Sequence, residues 1–125
     1  MASKNWDQER AAFAWQCVET APSGKDYENL AKSAPALIMN SGLMQTLAFF
    51  KDKGKEHHQA LLKHIAEWLN LRLWQESKKA ADFEGLMNRL FNANSALYRR
   101  ATEEALALLR WIRQFASAKG SSEKK

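Results

Sequence analysis

Strand formers are nearly missing from this chain: its 125 residues include one valine, three isoleucines and three threonines. Sheets draw on β-branched and aromatic side chains packed on a pleated surface, so a β architecture is excluded. Cysteine is as scarce. Cys17 has no second thiol to pair with in the chain and cannot build a multi-cysteine zinc site, which points to a reducing compartment. Two prolines and five glycines leave little material for long irregular loops. No apolar run approaches the roughly 20 residues that cross a bilayer. The first residues, Met1 to Trp6, carry no apolar core of a secretion signal. A soluble, cytoplasmic, single-domain protein is the expectation.

What the chain does contain is helix-forming. Alanine occurs twenty times and leucine fifteen times, and both are strong helix formers. Apolar residues recur at steps of three and four. The prediction is an all-α fold, a compact bundle of about six helices over residues 1–119, with residues 120–125 as a flexible C-terminal tail. The first helix is expected over about residues 4–20, with Trp6, Phe13, Ala14, Cys17 and Val18 on one face and Pro22-Ser23-Gly24 ending it. A second segment carries Tyr27, Leu30, Ala31 and Ala34 and then meets Pro35, which either kinks one helix or opens another. Asn40-Ser41-Gly42 reads as a turn, and Leu43, Met44, Leu47 and Phe50 form the next apolar stripe. Lys51-Asp52-Lys53-Gly54-Lys55 reads as a charged loop, followed by helices over about 56–76, 83–91 and 94–118.

The formal charge is +5, from 19 Lys and Arg against 14 Asp and Glu. It is uneven: −1 over residues 1–50, +3 over 51–80, −1 over 81–93 and +4 over 94–125. Such an excess favours a polyanionic partner, although many basic proteins never meet a nucleic acid. On the last predicted helix, Arg99, Arg110 and Arg113 fall within about 60° of one another, opposite a core face of Leu97, Ala101, Ala105, Leu108, Ile112 and Phe115. This is either a solvated face or a stripe that tracks phosphates. Lys51, Lys53 and Lys55 form a second basic cluster, giving six candidate RNA-binding residues.

Catalytic chemistry finds little footing. His57, His58 and His64 share one predicted helix without the four-residue spacing that lets two ligands meet one ion, and they read as surface or flank residues. Cys17 falls on an apolar face, where a thiol usually packs. No phosphate loop, serine elbow or carboxylate pair is present, so no catalytic residue, metal or cofactor is assigned. Arg10 lies within an apolar stripe. It either stacks on Trp6 and pairs with an acid at the core edge, or anchors a protein interface. Trp74 and Trp111 fall off the main apolar arcs and join Arg10 as candidate protein-interface residues.

Three blocks of sequence go further than these physical patterns. The first is Gln8-Glu9-Arg10-Ala11-Ala12-Phe13-Ala14-Trp15-Gln16-Cys17-Val18. The second runs from Tyr27 through Ala34-Pro35-Ala36-Leu37-Ile38 and Gly42-Leu43-Met44-Gln45-Thr46-Leu47-Ala48-Phe49-Phe50, with Lys53 beyond it. The third begins at Tyr98 and continues through Thr102-Glu103-Glu104-Ala105-Leu106-Ala107-Leu108-Leu109-Arg110-Trp111-Ile112-Arg113-Gln114-Phe115-Ala116. In this order and separation they resemble the small-subunit family of the type III-B CRISPR effector, the fifth protein of the Cmr complex. The resemblance implies a helical, non-catalytic antiviral-defence subunit. It would stack in several copies beside the backbone subunit and along the crRNA–target RNA duplex, contacting RNA without reading its sequence. Trp111 would then sit at a subunit seam. Residues 54–94 carry no motif of that family. The small subunits of type III-A complexes are similar basic bundles, and a helical protein–protein adaptor is the alternative outside CRISPR.

Overall fold

The computed structural model describes residues 5–75 and 82–123, with side chains through Gly120. Six helices follow one another: α1 (Trp6–Thr20), α2 (Asp26–Ser41), α3 (Leu43–Lys53), α4 (Glu56–Trp74), α5 (Phe83–Phe91) and α6 (Ser95–Glu123). No strand occurs among the described residues. Local chemistry starts several of them. The Asn5 side chain accepts from Gln8 N at 2.8 Å and the Gln8 side chain accepts from Asn5 N at 3.0 Å, a reciprocal cap on α1. Asp82 caps α5 through Gly85 N at 2.7 Å, and Asn94 caps α6 through Leu97 N at 2.8 Å.

Pro35 lies inside α2, and the helix runs on through it to Ser41. A proline there removes one backbone hydrogen bond and costs roughly 3 kcal/mol. Burial of Leu30, Ala31, Ala34 and Ile38 on the same helix offsets that loss. Gly42 makes the corner into α3 with φ +89°, a conformation strained for any side chain. The Lys51–Lys55 segment departs from the expected loop. Lys51 and Lys53 form the last turn of α3, where positive charge suits the helix C-terminus, and Gly54 at φ +65° ends it. At the other end of the chain, α6 continues through Gly120 to Glu123, where a flexible tail was expected; Lys124 and Lys125 lie outside the described residues.

α6 is the axis of the bundle, roughly 43 Å long at 1.5 Å per residue, and packs against α1, α2 and α4. Ala101, Ala105, Leu108, Leu109, Ile112 and Ala116 form its buried stripe. Trp68 and Leu69 from α4, Phe50 from α3 and Leu86 from α5 complete the interior. No described helix is long and apolar enough to cross a membrane.

The histidines differ from the surface placement expected of them: His58 and His64 are buried. The Tyr27 hydroxyl lies 2.8 Å from His64 Nδ1 deep between α2 and α4. Burial, with a smaller contribution from the Lys63 charge, pushes the His64 pKa down to about 4. Burial also raises the Tyr27 phenol, so the pair stays neutral. Because an unfolded histidine takes its proton near 6.5, the His64 contribution is complete above that pH and is lost as pH falls through 4. Urea denaturation should therefore show stability decreasing by about 3 kcal/mol from this group between pH 6.5 and pH 4. His64→Leu should flatten the profile in that window.

Candidate nucleic-acid interface

The arginines divide into two sets. Arg10 projects from α1 into the space between α4 and α6. Its Nη2 donates to both carboxylate oxygens of Glu104 at 3.1 and 3.0 Å, and its Nε donates at 3.2 Å. Its Nη1 donates to Asp7 at 2.8 Å. The indole N–H of Trp68 also donates to Glu104, at 3.0 Å. Arg72 Nε lies 3.3 Å from Glu104 Oε2, close enough for an ion pair although not aligned for a hydrogen bond. Glu104, with 12% of its side chain exposed, thus ties α1, α4 and α6 together.

Arg10 lies at the core edge, paired with an acid. Its donors are paired with Glu104 and with the exposed Asp7, as the core-edge reading expects. The cation stacked on Trp6 is a different one: the Arg72 guanidinium stands 3.9 Å from that ring. Trp111 joins the same network. Its indole N–H donates to Asp7 at 3.0 Å, and its ring stacks on Phe115. That hydrogen bond, then the nearby charges of Arg10 and Arg110, hold the Asp7 carboxyl below the usual carboxylate range. Trp74 is half-buried with the Arg89 guanidinium 5.2 Å from its ring centre. The more exposed large apolar side chains are others, among them Met39, Phe91, Trp6 and Trp15.

The second set faces outward. Arg99, Arg110 and Arg113 are exposed along α6, and Lys51, Lys53 and Lys55 are exposed at the α3–α4 junction. Among the described residues none of these six makes an ion pair. Lys51 and Lys53 stand 5.9 and 5.6 Å over the rings of Phe83 and Phe49, contacts near the outer limit of cation–π attraction. The junction and the end of α6 share one pole of the bundle. His57 lies 4.0 Å from Asp26 at the start of α2, and Gly120 lies against Glu28 in the same turn. Arg110 and Arg113, one turn apart, belong to the half of α6 nearer that pole. Arg99 belongs to the opposite pole, next to Tyr98, whose hydroxyl accepts from Met44 N at the start of α3. The structure therefore separates Arg99 from Arg113 by about 21 Å along the helix. Burial, then the charges of His57, Lys53 and Lys55, lowers the His58 pKa.

The family model described as "CRISPR-associated protein (Cas_Cmr5)" matches residues 6–119. The chain belongs to the Cmr5 family. A Thermus thermophilus relative named as CRISPR system Cmr subunit Cmr5 is 34% identical over 119 residues, covering 93% of each chain. The crystal structure of a Cmr5 family protein from Thermus thermophilus superposes with a TM-score of 0.74 at 30% identity, over 93% of this chain and 97% of that one. The Cmr5 match spans all nine residues singled out from the sequence, and the three blocks that suggested the family lie within it.

Glu104 was not among the residues that the sequence singled out. A signal existed: Arg10 and Glu104 each interrupt an apolar stripe with opposite charge, the pattern of a pair that faces inward. Glu104→Gln should leave two guanidinium groups short of an anion and cost about 3 kcal/mol in urea denaturation. Glu103→Gln, one position along and exposed, should change stability by less than about 0.5 kcal/mol.

Proposed function

We propose that this Cmr5 family member is a non-catalytic structural subunit of a type III-B CRISPR Cmr effector, acting in antiviral defence in the cytoplasm. It works beside the backbone subunit and further copies of itself, along the crRNA–target RNA duplex, holding RNA by its backbone without reading sequence. The observation that carries this reading is the division of the arginines. Arg10 and Arg72 pair with Glu104 inside the bundle, whereas Arg99, Arg110 and Arg113 are exposed and make no ion pair within 4.0 Å among the described residues. Guanidinium groups on a rigid helix present fixed donors to phosphate oxygens, and their charge acts on any sequence alike. Two polar pairs in the interior, Tyr27–His64 and Arg10–Glu104, hold helices together, and this supports a positional rather than a chemical role. The relative's name, a Cmr subunit, supports the assembly.

An adaptor that touched only proteins would use exposed apolar residues such as Trp15, Met39 and Phe91, and its association would be insensitive to salt. The two readings separate in one titration series. Arg110→Glu with Arg113→Glu should weaken binding to single-stranded RNA of every sequence. The slope of log affinity against log salt should fall by about 1.4. The far-UV circular dichroism should stay as in the wild type, because both side chains are exposed. Unchanged affinity and slope would remove the backbone-holding mechanism.

A further inference from the structure

Between the last turn of α3, one side of α4 and the start of α5 lies an open groove of about 330 Å3. Its lining differs from the helix surfaces around it. Leu62, almost fully buried, supplies an apolar base, and the half-buried Phe83 supplies an aromatic ring. Lys51 and Lys63 bring two exposed ammonium groups, the first already 5.9 Å over the Phe83 ring. Asp82, the one acid among the described lining residues, is engaged: its Oδ1 accepts from Gly85 N as the cap of α5. Gln59 is pinned by donating to the Gly54 carbonyl at 2.8 Å, which leaves its own amide oxygen as an acceptor.

We propose that this groove seats one unpaired nucleotide of an RNA strand, the base against Phe83 and a phosphate between Lys51 and Lys63. The case is one of matched chemistry. A nucleotide offers a flat π face and an anion on one small unit, and the groove offers a ring, two cations and a volume of the order of small-ligand sites. An acidic peptide would engage the lysines and leave the ring unused. Gln59 Oε1 can accept from a base amino group without selecting one base alone. The proposal rests on the RNA-binding reading above and extends it. Lys51 and the rest of the α3–α4 junction become the neighbours of a stacking site, and Lys63, Gln59 and Phe83 join the RNA contacts.

The test uses the full chain, isotopically labelled and titrated with adenosine 5′-monophosphate, alongside labelled single-stranded and duplex RNA. The mononucleotide should shift the amides of Lys51, Lys63 and Phe83. Phe83→Leu should weaken single-stranded RNA about tenfold and leave duplex RNA unchanged, since paired bases cannot enter the groove. Phe83→Tyr should retain binding. Lys63→Glu, at an exposed position, repeats the test without touching the packing. If Phe83→Leu and Lys63→Glu bind single strands like the wild type while the Arg110/Arg113 double variant does not, the groove is not a nucleotide site and the RNA reading survives. Mononucleotide shifts at the groove without binding of any longer RNA would keep the site and overturn that reading. Shifts elsewhere, or displacement by poly-glutamate with no response to the mononucleotide, would overturn the site.

Discussion

Glu104 accepts hydrogen bonds from Arg10 and Trp68 and faces Arg72, so one carboxylate joins the first, fourth and last helices of the bundle. Two guanidinium groups and an indole N–H compensate its desolvation, and the arrangement extends outward on both sides. Arg72 covers Trp6, and Arg10 holds Asp7, which in turn receives the Trp111 N–H. An apolar seam between α1 and α6 would tolerate sliding by a turn. A charge network with this many fixed partners does not, because any slip strands a buried charge. The register of α6 against its neighbours follows from that constraint, and with it the direction in which the outer arginines point.

This is how internal electrostatics bears on function. Arg99, Arg110 and Arg113 share a helix with Glu104, so the hub sets their orientation. Positive side chains near the core are neutralised at short range, while those on the outer face keep their charge for solvent or a polyanion. The same separation holds in the other half of the molecule. Asp82 is committed to a helix cap, and Lys51, Lys53 and Lys55 are exposed around the end of α3. A modest formal charge of +5 is therefore presented unevenly.

Several elements could be read directly from residue order. Helices appear wherever alanine and leucine recur at three- and four-residue steps, and the Pro22–Gly24 break and the α5 stripe of Leu86, Met87 and Leu90 fall where periodicity places them. The six basic residues singled out are exposed, because lysine and arginine are rarely buried unless paired. The differences have a common origin. The Lys51–Lys53 turn stays helical because lysine suits a helix C-terminus, while Pro35, for which residue order left two readings, stays inside α2 because packing outweighs one lost hydrogen bond. His58 and His64 go inward because an imidazole can be neutral at little cost, a choice no single helix reveals.

Helical class, approximate boundaries, the basic excess and the family likeness follow from local order, since propensity and periodicity act over a few residues. Which charges turn inward follows only from the folded arrangement. Arg10 and Glu104 stand 94 positions apart, and the Phe83–Lys63 groove forms from three helices. Electrostatic pairing and cavity shape depend on distances through space, and those exist only once the helices have packed.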